Sequence, residues 1–103
     1  MNKKKLMYSI LVEINNGSIP NHIDYNLELF MWAEIMEAID DVGYLKGISI
    51  YYYGDDEWFD ETIHSVELKL PQLTNAGVEF LKEHIAWNKT YCGMTNVNEW
   101  LEI

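Results

Sequence analysis

The spacing of apolar residues changes twice along this chain of 103 residues. Up to Val42 they recur every three or four positions, the spacing of a helix with one buried side. Between Ile48 and Leu70 they alternate with other residues, as in a strand with one buried face. After Thr74 the helical spacing returns. We therefore expect an α+β fold in which helices precede a pair of strands and a further helix follows it.

The first predicted helix ends at Asn15-Asn16-Gly17, a composition typical of a helix C-terminus. Its apolar side consists of Leu6, Met7, Ile10, Leu11 and Ile14. A connector at residues 18–21 follows, and Asp24 or Asn26 is expected to cap the next helix.

The second predicted helix covers residues 27–42 and ends at Gly43. Steps of about 100° per residue divide it into an apolar and an acidic side. The apolar side holds Met31, Trp32, Ile35, Met36, Ile39 and Val42. The opposite side holds Phe30, Glu34, Glu37 and Asp41.

Two strands are predicted to form an antiparallel hairpin with an acidic, aromatic tip at residues 54–61. In the first strand, Ile48, Ile50 and Tyr52 alternate with Ser49, Tyr51 and Tyr53. In the second strand, Val66, Leu68 and Leu70 are expected to point inward. Because Tyr51, Tyr52 and Tyr53 are consecutive, at least one tyrosine is expected to be exposed.

Two helical segments are predicted after the hairpin. Thr74 is expected to cap a helix that runs to about Ile85, with Val78, Leu81 and Ile85 inward. Asn96 and Glu99 resemble a capping box, which would open a short helix that buries Trp100 or Leu101.

Length and composition indicate one folded domain, residues 1–103. Hydrophobic residues make up 49%, which is too many for a disordered acidic tail. The single cysteine, Cys92, excludes an intrachain disulfide, and no apolar run approaches the roughly 20 residues that span a bilayer. The start resembles no secretory signal, so we expect a cytoplasmic protein with no membrane partner.

The acidic residues are concentrated in the middle of the chain. Seventeen acids against seven lysines give a net charge of -10. Residues 24–67 hold twelve of the acids and one base, Lys46, so this part alone carries -11. The folded domain is therefore expected to present one or two strongly negative surfaces.

The order helix, helix, hairpin, helix is that of a winged-helix domain, in which the second helix is the recognition helix and the hairpin is the wing. Four parts of the chain resemble the YjcQ family of small bacterial and prophage winged-helix proteins. They are residues 2–11, Gly43-Tyr44, residues 73–83, and Trp87 with Lys89. The most specific part is the run Leu-Thr-x-x-Gly-x-x-Phe-Leu that begins at Leu73. The resemblance implies a winged helix and a phage or mobile-element setting, and it implies no catalytic residue.

Direct binding to nucleic acid through the usual face of such a domain is disfavoured. Binding rests on Lys and Arg that neutralise phosphates, yet residues 28–42 and 47–66 contain neither. The chain has no arginine to read guanine. Only Lys3, Lys4 and Lys5 remain as phosphate contacts.

The same residues favour a protein partner. Glu34, Glu37 and Asp41 form a stripe at intervals of roughly 5–6 Å, close to the spacing of successive phosphates along a strand. The hairpin tip adds a second negative surface of Asp55, Asp56, Glu57, Asp60 and Glu61. We hypothesise an inhibitor that imitates nucleic acid and binds a basic nucleic-acid-handling protein, as anti-CRISPR proteins do. The alternative is that these acids only keep a small domain soluble.

Exposed aromatic residues would anchor such a contact. Phe30 lies on the acidic side of its helix, and Trp58 and Phe59 lie at the hairpin tip. The alternative for Trp58 or Phe59 is that the ring packs on its own hairpin.

No catalytic, cofactor or metal site is expected. His22, His64 and His84 are scattered and show no metal-ligand spacing, and no phosphate-binding glycine loop occurs. The acids at 55–61 lack the ligand pattern of a calcium loop. An enzyme is therefore not expected.

Two other functions stay open. One is a transcriptional regulator that binds DNA as an oligomer through its lysine-bearing N-terminus. The other is a dimeric interaction module of a lysogeny circuit, a homodimer that associates through its tyrosine face.

Overall fold

A computed structural model describes residues 3–53 and 62–87 of the chain. This part contains helices α1 (Lys3–Asn15), α2 (Leu29–Asp41) and α3 (Asn75–Glu83) and strands β1 (Leu45–Tyr53) and β2 (Thr62–Leu73). A single 3-10 turn, Ile85–Trp87, follows α3. The α+β class and the order of elements are as predicted, and they are compatible with a winged helix. The predicted C-terminal helix at 96–101 lies outside the described residues.

Helices α1 and α2 end in the same way, at a glycine in the left-handed region. Gly17 has φ +92° and Gly43 has φ +74°. After α1, the N–H of Ser18 donates to Glu13 O at 3.0 Å, and after α2 the N–H of Tyr44 donates to Ile39 O at 3.1 Å. Both arrangements are Schellman motifs, which satisfy the last carbonyl groups of a helix. The predicted ends of both helices are thereby confirmed.

The predicted start of α2 is wrong. The helix begins at Leu29, and its N-cap residue Glu28 makes no side-chain hydrogen bond to it. Asp24 instead accepts a hydrogen bond from Asn21 N at 2.9 Å, and Asn26 adopts φ +55°. Both residues serve turns of the connector, which compete with helix capping for short polar side chains.

The connector between α1 and α2 is anchored in the core by a residue that periodicity did not indicate. Tyr25 is fully buried, and its hydroxyl lies 2.9 Å from Ser9 Oγ, which is also buried. Its ring stacks on Trp32, with 5.8 Å between ring centroids. These two contacts anchor the connector to both α1 and α2.

Strands β1 and β2 pair in an antiparallel hairpin, as predicted. Ile48, Ile50, Val66 and Leu68 pack on the core, which confirms their inward side. Tyr51 is 41% exposed, which confirms that one tyrosine of the triplet faces outward. The side chains of Tyr52 and Tyr53 lie outside the described part.

Leu70 is the exception, because a bulge interrupts the pairing. Lys46 pairs with Gln72 and Ile48 with Leu68, so Gly47 faces three residues of β2. Within this bulge Leu70 adopts φ +46° and is 94% exposed. Its predicted inward orientation is therefore wrong, since a bulge changes which face the following side chain takes. Gly47, at φ +92°, has no room for a Cβ against Lys69 O.

Helix α3 joins the hairpin to the rest of the core. Thr74 caps it as predicted, because its side chain accepts a hydrogen bond from Gly77 N at 3.2 Å. The Thr74 hydroxyl also donates to Gly43 O, next to the end of α2. Phe80 is buried and stacks on Tyr44, with 4.8 Å between ring centroids.

Two residues predicted to point inward from α3 do not. Val78 is 38% and Ile85 is 68% exposed, while Leu81 is partly buried against the core. Helix α3 ends at Glu83, and only Gly77 and Phe80 of it are buried. The buried stripe is set by the close approach of Gly77 to Tyr44, which turns Val78 away from the core.

Within residues 3–53 and 62–87, no helix is long and apolar enough to cross a membrane.

Candidate protein-binding face

Helix α2 has an apolar and an acidic side. Trp32, Ala33, Ile35, Met36 and Ile39 are buried. Met31 is half-buried, whereas Val42 is exposed, contrary to prediction, because it is the C-cap residue beyond the last turn. The core contacts of α2 therefore fix which side faces outward.

All four residues predicted for the outer side of α2 are exposed. Phe30 is 54% exposed, and Glu34, Glu37 and Asp41 are exposed as well. Their separations of four, three and four residues place them one above the other on the helix surface. We call these four residues the acidic face.

Asp40 adds a carboxylate that the prediction missed. It is exposed and lies three residues after Glu37. The signal was present in the helical spacing, because Asp40 precedes Asp41 at the edge of the same surface. In the connector, Ile19 and Ile23 are also exposed, and no periodicity marks them.

The basic residues of the described part lie on other elements. Lys82 pairs with Glu79 of α3 at 3.8 Å, and Lys69 pairs with Glu67 of β2 at 3.4 Å. The hydrogen bond to the Glu67 carboxylate raises the pKa of Lys69. Among the described residues, no Lys ion pair neutralises Glu34 or Asp41.

The predicted hairpin-tip site lies outside the described residues. It consists of Asp55, Asp56, Glu57, Trp58, Asp60 and Glu61. The strand ends that flank it are adjacent, since Tyr53 pairs with Thr62. Both ends of the tip segment therefore leave the sheet together.

The described histidines have structural partners. The ring of His22 lies 3.1 Å, through Nδ1, from Leu27 O, and the ring of His84 stacks on Trp87 with 4.1 Å between centroids. In residues 3–53 and 62–87, no three His, Cys, Asp or Glu side chains are grouped so that they could hold a metal ion. His64 and Cys92 lie outside the described side chains.

The run that begins at Leu73 has a structural explanation. Thr74 caps α3, Gly77 lets the helix approach Tyr44, and Phe80 fills the space between Tyr44 and Tyr8. This run therefore fastens the hairpin to α1 and to the end of α2.

Comparison with known proteins identifies the family. A family model described as "YjcQ protein" matches residues 8–100. The chain is 31% identical over 103 residues to a Bacillus subtilis (strain 168) protein named "Uncharacterized protein YjcQ", an alignment that covers 99% of this chain and 100% of that protein. No solved structure matches the chain. The chain belongs to the YjcQ family.

Proposed function

We propose that this chain is a non-catalytic winged-helix module of phage or prophage type that binds a basic nucleic-acid-handling protein. Its acidic face takes the place of a phosphate backbone, so that the chain acts as an inhibitor in the manner of an anti-CRISPR protein. The observation that carries the proposal is the outward orientation of Glu34, Glu37 and Asp41 on the helix that a winged helix normally presents to DNA.

The charge of α2 supports a basic partner. No Lys or Arg occurs from residue 28 to residue 42, so phosphates would meet only carboxylates there. Clustered charge of one sign accelerates encounter with an oppositely charged site and suppresses wrong partners. A basic protein surface that normally holds nucleic acid matches this charge.

Phe30 supports a specific contact rather than a solubilising surface. It is 54% exposed at the N-terminal end of the acidic face, although α2 has an apolar side that a phenylalanine would favour. Aromatic residues surrounded by polar ones are typical energetic centres of protein interfaces. We expect Phe30 to enter an apolar pocket beside the basic site of the partner.

The proposal is tested by capturing a protein from host lysate and comparing two charge-reversal variants. Glu34→Lys/Glu37→Lys changes the acidic face, and Glu79→Lys/Glu83→Lys changes exposed residues of α3 by the same amount. The first variant is expected to weaken binding of the captured protein at least about tenfold, and the control to leave it nearly unchanged.

Competition and salt dependence then identify the mode of binding. Duplex DNA should displace the chain from the captured protein, and binding should weaken steeply with salt, since charged contacts are screened. Equal binding by both variants, or binding that salt does not alter, would contradict the proposal and favour solubility as the role of the acids.

A DNA-binding regulator is the second candidate, because Lys3, Lys4 and Lys5 occupy the first turn of α1. The N-terminus of a helix already carries partial positive charge, so lysines there attract anions and cost helix stability. Binding of a nonspecific duplex at low salt, lost in Lys3→Gln/Lys4→Gln, would favour the regulator. Absence of such binding favours the nucleic-acid mimic.

A homodimer remains a further proposal. Tyr51 and Leu70 are exposed on the hairpin and would supply apolar contact area. The molecular mass in solution, measured by light scattering over a range of concentrations, distinguishes a dimer from a monomer.

A further inference from the structure

A groove between α1 and α3 is lined by residues of both helices and of the segments that follow them. It has a volume of about 450 Å³. One wall is formed by the C-terminal half of α1 and the other by α3 and the residue that follows its C-cap. The lining residues are Tyr8, Val12 and Asn15 on α1, Asn16 directly after it, and Val78, Leu81, Lys82 and Ile85 opposite.

Among the described residues, no side chain covers the apolar surface of this groove. Its floor is buried, since Tyr8 and Val12 belong to the core. Its rim is not, because Ile85 is largely exposed and Val78 partly so. Exposed aliphatic side chains at the edge of a concave apolar surface are typical of a binding site.

We propose that this groove is the docking site for the chain's own C-terminal segment, residues 88–103. The chain enters that segment at the groove itself. Trp87, the last described residue, packs edge-on against Tyr8 with 5.7 Å between ring centroids, and Ile85 lines the rim. No partner has to be brought in for the segment to meet the groove.

The length of the segment fits this placement. Eight residues, 88–95, separate Trp87 from Asn96. Extended chain covers about 3.3–3.6 Å per residue, whereas the α1 wall from Tyr8 to Asn16 rises by only about 1.5 Å per residue. The linker can therefore reach every part of the groove.

The composition of the segment fits as well. Asn96 and Glu99 have capping-box spacing, and Val97, Trp100 and Leu101 follow at helical intervals of three and four residues. Such a stripe matches a groove between two helices. Glu99 and Glu102 would also lie near Lys82 at its rim.

The test uses the single cysteine of the chain. A nitroxide spin label on Cys92, within the segment, broadens amide signals of nearby residues in the NMR spectrum of the full chain. We expect the amides of residues 12–16 and 78–85 to lose more intensity than those of Glu34 and Glu37, which do not line the groove. The loss should be clearly smaller in Trp100→Ala/Leu101→Ala, where only the tether at Trp87 holds the label near the groove, and unchanged in the control Glu102→Gln.

Mixing distinguishes docking in the same molecule from docking between two molecules. Spin-labelled chain without isotope is added to isotope-labelled chain without spin label. Unchanged groove signals support the proposal. Broadened groove signals show a second copy's segment in the groove and overturn it, as does the absence of preferential broadening in the first experiment.

Thermal unfolding gives a second test, which still applies if the C-terminal double variant is poorly folded. Trp100→Ala in the full chain is expected to lower Tm by about 4–8 °C. In the background of Ile85→Ser, an exposed position that should tolerate serine, the same change should lower Tm clearly less, since residues in contact are not additive. Additive shifts would show that Trp100 does not contact the groove.

Discussion

Gly77 brings the first turn of α3 against the backbone of Tyr44. A Cβ at this position would collide with Tyr44 O and lie 3.1 Å from Tyr44 C. Because backbone atoms cannot rotate away as a side chain can, the position excludes every residue larger than glycine without a shift of the helix. The glycine at this helical position therefore indicates tight packing between α3 and the backbone of Tyr44.

Gly77→Ala is therefore expected to destabilise the protein by about 1–3 kcal/mol, although alanine favours a helix over glycine by about 1 kcal/mol. The free energy of unfolding from urea denaturation measures this loss. Ala76→Gly, at the exposed neighbouring position, is the control and should cost about 1 kcal/mol from propensity alone. A Gly77→Ala variant more stable than the natural protein would contradict the close approach.

Residues in the connector and in the β-bulge were the least predictable. The role of Tyr25 depends on Ser9, sixteen positions earlier, and on the Trp32 ring, so no local pattern indicates its burial. Leu70 follows the alternating pattern and is nevertheless exposed, because three residues of β2 oppose Gly47. In both cases long-range geometry decides the environment of the side chain.

Elements, by contrast, follow largely from spacing. The ends of α1 and α2 were predictable because glycine satisfies the left-handed C-terminal position in both. The acidic face was predictable because α2 is strongly divided into an apolar and a polar side. The exposure of Val78 and Ile85 was not predictable, since the rotation of α3 about its axis depends on its contact with Tyr44. The hairpin-tip acids remain a prediction.

The first turn of α1 is expected to be electrostatically unfavourable. Lys3 and Lys4 are exposed there, whereas the helix dipole favours acids at an N-terminus. Lys3→Glu/Lys4→Glu should therefore raise the free energy of unfolding by up to about 1 kcal/mol per residue, and by less as salt screens the helix dipole. Urea denaturation at about 0.1 M salt, where distant charges are screened, isolates this local effect.

The corresponding glutamine variant serves as the control for Lys3 and Lys4. It removes the positive charges without adding negative ones, so its gain should be smaller. A loss of stability in both variants would show that the lysines are engaged in contacts with the rest of the fold.

At the scale of the whole molecule, the net charge of -10 opposes compactness. Residues 24–67 carry -11, so the excess of negative charge is concentrated in one part of the chain. The free protein therefore tolerates this concentration of negative charge at a cost in stability.

Added salt is expected to stabilise the free protein. The Debye length falls from about 30 Å at 0.01 M to about 10 Å at 0.1 M, which screens repulsion between separate acids. Tm should therefore rise over this range, and the rise should be smaller in Glu34→Gln/Glu37→Gln. Sucrose, which carries no charge, separates screening from general stabilisation. A Tm that falls with salt would show that attractive pairs dominate instead.

The division of α2 into two sides has a consequence for how such a protein can change over time. Trp32, Ile35 and Met36 hold the helix in the core, while Phe30 and Glu34 make no part of that packing. Substitutions on the outer side therefore alter the exposed surface of the helix and leave the framework intact. The outer side of α2 can therefore diverge among related proteins at these positions alone, while the same fold is carried forward.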